Sequence, residues 1–417
     1  MSPYTSQTTV AVRFGAADSV ALEIATGALV ANYDAPCGAP LPDLRASVRT
    51  ALAQPLDFPP LAQAAVPGDR VVLALEAGVP QAPVVVAEVF NALSCRGVDA
   101  GEMTILRTQA DERAAVPDPR ELLPAADRGR VSLEVHDPKA RDRLGYLAAG
   151  GDHEPVYLNR LLCEADLVVP IGCLRCDGAL GYYGMHGGIF PAFSDGASID
   201  RIVAAHDDAK HRSRDSVRER QRIAEVGWLL GVQLTVQVVP GSGDDVLEVL
   251  AGQPEAVFDR GQQLCQAAWK FQAPRRADLV VATITGGAAQ QSWDNVARAV
   301  AAANHVVREG GAIVVCTELT DAPGPALARL ASARDPQTAM RKIRKEHLVD
   351  APAALQIAAV QQRSRLYLLS RLDDAAVEEL GIAAVGDSRQ LARLVEQYES
   401  CLVLGNAHHA VATVNEE

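Results

Sequence analysis

The residues best able to do chemistry in this chain crowd between Gly145 and His206. Residues 167–171 are an uninterrupted apolar run and read as a buried strand. Beyond it Gly172, Gly178, Gly181, Gly184, Gly187 and Gly188 follow in close succession, interleaved with Tyr182, Tyr183 and His186. Each glycine costs backbone entropy, so a long glycine-rich loop after a buried strand needs a reason. One reason is a ligand: in an α/β sheet such loops line the crevice at the strand ends, and freed backbone N–H groups can cradle a phosphate. The other is a surface loop packed on itself. A helix expected over 198–205 then delivers His206, followed by Asp207 and Asp208. An imidazole there can cap the helix, pack in the core or ligate a metal.

Cys173-Leu-Arg-Cys176 opens the same loop. A C-x-x-C pair can be half of a zinc site or a redox pair, but structural zinc needs two further ligands, for which His186 is the nearest candidate. The alternative is two thiols lining a loop. Cys95, Cys163, Cys265, Cys316 and Cys401 lie in or beside apolar patterns and read as small core residues. Eight cysteines scattered through 417 residues do not form a disulfide framework. His408-His409, in a polar tail, has no partner ligands in the sequence.

Elements that alternate between strand and helix must position these groups. Residues 71–75, 103–106 and 131–135 read as strands, with a helix over 83–94 between the first two. That alternation implies a parallel, buried sheet. Gly145-Tyr-Leu and 149–152 read as a turn-rich approach, 215–230 as a charged amphipathic helix and 233–239 as a strand. One long helix is expected over 254–272, with Pro274-Arg275-Arg276 as the linker. The pattern then restarts with strands over 279–284 and 312–316 and a helix over 293–308. Helices over 373–380 and 388–399 precede a last strand at 401–404. Thr285-Gly286-Gly287 at a strand end is either an anion-binding nest or a tight turn. Asn295 and Arg298 share one helix face near its positive end, a placement that suits a carboxylate. The fold class expected is α/β: two α/β domains with parallel-rich sheets and an interdomain cleft, spanning 1–272 and 273–417.

Composition narrows the partners. A net charge of −13 argues against binding a nucleic-acid backbone, which needs a basic face. No apolar run approaches the ~20 residues of a membrane span. Met1-Ser-Pro-Tyr-Thr-Ser-Gln lacks the basic and apolar regions of a secretory signal, so a cytoplasmic location is expected.

Several motifs together resemble a known family. They are G-x-L-x-x-G-G-D from Gly145, N-x-x-x-x-E-A-D-L-V-V from Asn159, the glycine-rich loop ending in Phe190-Pro191, and Ile202-Val203-Ala204-Ala205-His206. The pattern continues upstream through Gln54-Pro55-Leu56 and 67–72, and downstream through Thr285-Gly286-Gly287 and 309–313. In these the chain resembles the LarA-type lactate racemases and related nickel-dependent 2-hydroxyacid racemases and epimerases. The resemblance implies two α/β domains with the active site between them. It implies a nickel pincer nucleotide that accepts and returns hydride, a metal histidine at His206, and a small-molecule hydroxy acid as substrate.

The departures from that pattern are as specific. Where the family carries Asp-x-Thr-Arg-Pro, this chain has Glu76-Ala77-Gly78-Val79-Pro80, so the substrate-binding arginine is replaced. The two catalytic histidines fall at Asp111 and Asp177, and the lysine that can hold the cofactor covalently falls at Gly187. Non-covalent cofactor binding around Glu76, Gly78, Gly184, His186, Gly187 and Gly188 is therefore expected. Substrate contacts shift to Asn295, Arg298 and Arg175. Asp111 and Asp177 can act as general acid and base only if burial or mutual repulsion raises a carboxyl pKa toward neutrality. The alternative is a catalytically silent paralogue that binds a nucleotide-like molecule or a small anion in the same cleft.

Overall fold

The computed structural model describes residues 7–113, 116–149, 154–176, 180, 185–207, 212–333, 335–346 and 348–415, with backbone alone at 112–113, 203–207, 212–217, 219–220 and 336. Internal contacts gather the chain into two units. One comprises Gly38–Gly241 and Asp245–Cys265, the other Met1–Cys37, Ser242–Asp244 and Gln266–Glu417.

The Gly38–Gly241 unit is built on a six-stranded sheet in the order Val246–Gly252, Thr235–Pro240, Leu167–Cys173, Val71–Leu75, Met103–Arg107, Ser132–Val135. All neighbours are parallel except the first pair. Val71–Leu75 has no polar side chain and is buried at every position, as a strand covered on both faces must be. Its odd residues Val71, Leu73 and Leu75 join a core with Val85, Val89 and Leu93 of the Ala82–Ser94 helix. Val72 and Ala74, pointing the other way, join Leu158, Leu162, Ile189, Phe190 and Phe193.

The order of visits matters more than the strand count. From Val71–Leu75 the chain steps outward twice on one side, then returns to place Leu167–Cys173 on the other. The ends of these two adjacent strands form a topological switch point, where the following loops diverge and leave a crevice. The expected turns at 145–149 are instead the strand Leu144–Ala149, paired antiparallel with Pro155–Asn159.

The other unit repeats the winding. Its six-stranded sheet is wholly parallel, in the order Ala383–Ala384, Arg365–Leu369, Val307–Cys316, Ala277–Thr283, Cys401–Leu404, Leu29–Tyr33. A hairpin of Gln7–Phe14 and Asp18–Ala25 alternates buried and exposed residues, placing Val10, Val12, Phe14, Leu22 and Ile24 on the core of Leu279, Val281 and Val314. Residues 1–37 thus belong with the C-terminal strands, and the division falls at Cys265/Gln266 rather than at 272/273. The helix expected to reach residue 272 stops at Trp269, because Lys270–Ala273 pairs as a strand with Val411–Val414. The helix expected to reach 308 stops at Asn304, ahead of the strand Val307–Cys316. No helix among the described residues is long and apolar enough to cross a membrane.

Candidate active site at a strand switch point

The crevice between the ends of Val71–Leu75 and Leu167–Cys173 is closed by polar side chains. Glu76 N donates to Ile171 O at 2.9 Å, continuing the strand pairing by one residue. The Glu76 carboxylate turns across the gap, where Oε2 accepts from Cys173 N at 3.2 Å. Gln237, from the next strand, donates through Nε2 to Thr235 Oγ1 at 2.9 Å. Both side chains lie over Gly172: a Cβ there would stand 2.6 Å from Glu76 Oε2 and 2.6 Å from Gln237 Oε1. The cavity that remains is about 30 Å³, bordered by Glu76, Gly172, His186, Gly188, Thr235 and Gln237. That is space for about one water.

His186 reaches this cavity from a backbone in the left-handed region, with φ 66°. Its ring lies so close to Gly227 of the Arg212–Leu229 helix that a Cβ there would come within 2.3 Å. Burial pushes the imidazole down to about 4, so the ring is neutral at physiological pH. Its buried Nδ1 has no hydrogen-bond partner among the described residues.

Asp111 stands beside this group on the short helix Gln109–Arg113, which follows the Met103–Arg107 strand. It is 6% exposed, and Oδ1 accepts from Gly78 N at 3.2 Å. Burial pushes its carboxyl up to about 6, and the Glu76 carboxylate adds repulsion; the Gly78 N–H and the Arg107 guanidinium pull the other way. The carboxyl is thus mostly ionised at neutral pH with roughly a tenth protonated, the condition for moving protons in both directions. Arg107 closes the strand, and its buried Nε has no hydrogen-bond partner among the described residues. Sequence reasoning missed it. The available signal was its place at a strand end, four residues before Asp111.

The remaining candidates are distributed differently. Asp177 and Gly184 lie outside the described residues, and Gly187 is not among those bordering the cavity. His206 sits in the last turn of the Gly196–Asp207 helix, with its side chain outside the described set. Arg175 is buried, and its carbonyl accepts from Gln262 Nε2 at 2.8 Å. Val79, at the family's arginine position, is buried in the core. Asn295 and Arg298 belong to the other unit. There the Asn295 amide serves its own loop, donating to Gln290 O at 2.8 Å and accepting from Arg298 Nη1 at 3.0 Å.

Three further readings are decided by the fold. Thr285-Gly286-Gly287 is not an open anion nest: Gly286 N donates to Gly15 O at 2.8 Å and Gly287 N to Asp244 Oδ2 at 2.7 Å. His408 and His409 are no polar tail; both are buried, with rings 4.0 Å apart and His409 beside Trp269. Nor do Cys173 and Cys176 act as a pair. Cys173 is buried among Leu75, Ile171 and Val238, whereas Cys176 packs beside Leu174 and Cys265.

The Gly38–Gly241 unit is thus of the doubly wound α/β class, with a buried carboxyl beside its switch point. Residues 15–216 match the family model described as lactate racemase N-terminal domain. A lactate racemase from Thermoanaerobacterium thermosaccharolyticum is 25% identical over 221 residues, which is 50% of each chain, so the match spans about half the length of that relative. The fold agrees over a longer range. The apoprotein structure of the T. thermosaccharolyticum lactate racemase superposes with a TM-score of 0.73 at 16% identity, covering 97% of this chain and all of that one. A Thermotoga maritima protein superposes with a TM-score of 0.64 at 12% identity, covering 90% of this chain and 99% of its own. The chain is a LarA-like member of the lactate racemase family.

Family membership raises the question of the nickel pincer nucleotide, and the described residues do not fit it. A bound mononucleotide needs a pocket of several hundred Å³, roughly ten times the enclosed space at this switch point. The cofactor is anionic, yet among the described residues the only full charge bordering the cavity is the Glu76 carboxylate. Among the described residues no three His, Cys, Asp or Glu groups converge to hold a metal ion.

Proposed function

We propose that the chain is an isomerase that racemises or epimerises a small 2-hydroxy acid other than lactate. The observation that carries this reading is Asp111, a carboxyl buried at the switch-point strand ends and poised near pH 6 beside the Arg107 guanidinium. Arg107 would receive the substrate carboxylate, a task suited to a planar guanidinium with a donor to spare. Asp111, ionised, would take the hydroxyl proton as hydride leaves Cα for an acceptor supplied beside the substrate and, protonated, would return it when hydride comes back to the opposite face. The Gly78 N–H holds Oδ1 in place and leaves Oδ2 to face the proton. Burial keeps the Asp111 carboxyl high, with a smaller contribution from Glu76 repulsion, and so extends the pH range over which the protonated form persists. Loss of the family's arginine at Val79, with a cation now at Arg107, supports a substrate held at a different angle from lactate.

The test is to incubate the full chain with single enantiomers of a 2-hydroxy-acid panel and follow optical inversion by chiral chromatography. Parallel samples receive nickel and the pincer nucleotide. Inversion is expected, with Asp111→Asn lowering the rate by about 100-fold or more. An Asp111→Asn variant as fast as the wild type would remove Asp111 from the reaction.

One observation favours a second reading, a binding protein without chemistry: Glu76 and Gln237 fill the switch point down to about 30 Å³. Under that reading calorimetry detects uptake of a small ligand and no panel member is inverted, with or without added cofactor.

A further inference from the structure

The loop leaving the Leu167–Cys173 strand is docked on the Pro254–Trp269 helix through three consecutive residues. Leu174 lies against Gly261, where a Cβ would come within 2.4 Å of Leu174 Cδ1, so no side chain separates helix from loop. Arg175 O accepts from Gln262 Nε2 at 2.8 Å. Cys176 packs against the cluster that holds Cys265, and its nearness pushes the Cys265 thiol up. The helix residues fall within one turn and the loop residues are adjacent, so the sulfurs are held together from both sides. Both cysteines belong to one apolar cluster with Leu174, Val239, Leu250 and Val257. Cys265 is fully buried, while Cys176 is partly exposed and open to a small solute.

We propose that Cys176 and Cys265 are an oxidation site, which hydrogen peroxide converts to a disulfide that fixes Arg175-Cys176 to the Pro254–Trp269 helix. The Cys176 thiolate attacks a peroxide oxygen; the S–O bond forms, the O–O bond breaks and the first water departs after protonation. The Cys265 sulfur then attacks the Cys176 sulfenic sulfur, forming S–S and breaking S–O, and the second water leaves with the Cys265 proton. Two thiols lose two electrons in total and one peroxide is reduced to two waters. The order follows from the contact with Cys176 and from burial, which push the Cys265 thiol up and keep it protonated while the more exposed Cys176 reacts. Cys173 stays out of the exchange because its sulfur points into the opposite core and contacts Leu174 O at 3.7 Å.

The experiment treats the reduced, full-length chain with hydrogen peroxide in small molar excess, alkylates the remaining thiols and maps peptides without reduction. The expected product is a cross-linked peptide pair containing Cys176 and Cys265, lighter by two hydrogens. Six of the eight thiols then remain titratable, and dithiothreitol restores all eight. Cys176→Ser, at a partly exposed position where the fold tolerates the change, is expected to eliminate the cross-link and leave seven thiols unoxidised. A Cys173–Cys176 cross-link would overturn the proposal. So would full alkylation after peroxide, or Cys176 stopping at an unlinked sulfenic or sulfinic acid.

Discussion

Asp111→Asn separates what the carboxyl does for the reaction from what it does to the fold. Its carboxyl is raised from 3.8 to about 6 by burial and by Glu76, so the folded state disfavours the ionised form. A displacement of roughly two pH units at ~1.4 kcal/mol each means that ionised Asp111 costs about 3 kcal/mol of stability at neutral pH. The sign is fixed by the direction. A carboxyl with a higher folded than unfolded pKa binds more protons when folded, so its penalty is absent below pH 3.8 and complete above about 6. Asparagine is the same size and its Oδ1 still accepts from Gly78 N, so the variant removes the charge without opening a cavity. The assay is urea denaturation of both proteins at pH 7.5 and pH 4. At pH 7.5 the variant is expected to be more stable by as much as about 3 kcal/mol, and the gap should shrink as the pH approaches 4. Equal stability at both values, or a variant less stable at pH 7.5, would refute the claim that this carboxyl is held under electrostatic strain. The same variant losing inversion activity while gaining stability would be the behaviour of a site that gives up stability for function.

Other perturbations have equally definite outcomes. His186 is lowered from 6.5 to about 4 by burial, so its stabilising effect is full above 6.5 and is lost as the pH falls toward 4; His186→Gln should remove on the order of 2 kcal/mol of that acid sensitivity in denaturation measured at pH 7 and pH 4. Gly172→Ala forces a methyl group within 2.6 Å of Glu76 and Gln237 and should cost about 1–3 kcal/mol in thermal denaturation, whereas an unchanged melting point would mean that those side chains move aside freely. The Asp350 carboxylate caps the Pro325–Ala331 helix, accepting from Ala326 N at 2.9 Å and Leu327 N at 3.1 Å, so Asp350→Ala should cost about 1–2 kcal/mol by the same measurement.

The sequence disclosed elements wherever an apolar run and a buried strand coincide. Residues 71–75 and 401–404 are strands at the expected bounds, and the parallel-rich α/β class followed from the alternation. The N-terminal hairpin was not anticipated, because Gln7–Phe14 mixes threonine and arginine with its apolar positions and gains its core only from strands far along the chain. The same reason hid residues 270–273, whose strand state depends on pairing with Val411–Val414 rather than on their own composition. At the site, the raised carboxyl of Asp111 comes chiefly from burial, which no local sequence signal at 108–112 discloses, while Asp177 lies outside the described residues. Arg107 was invisible because an arginine at a strand end looks like an ordinary surface cation. The nest at Thr285-Gly286-Gly287 failed for a related reason: local sequence marks where N–H groups are freed, while distant residues decide what takes them.

Leu29–Tyr33 completes its sheet by pairing with Cys401–Leu404, about 370 residues later. At a ribosomal rate of roughly 5–20 residues per second, the first strands wait some 20–70 s for their partner to be made. Until Leu279, Val281 and Val314 are made, Val10, Val12, Phe14, Leu22 and Ile24 have none of their core to cover them, whereas most residues of the Gly38–Gly241 unit can already condense. Biosynthesis therefore completes most of the Gly38–Gly241 unit first and leaves the hairpin of Gln7–Phe14 and Asp18–Ala25 to be buried late, a period in which its apolar positions are open to a chaperone.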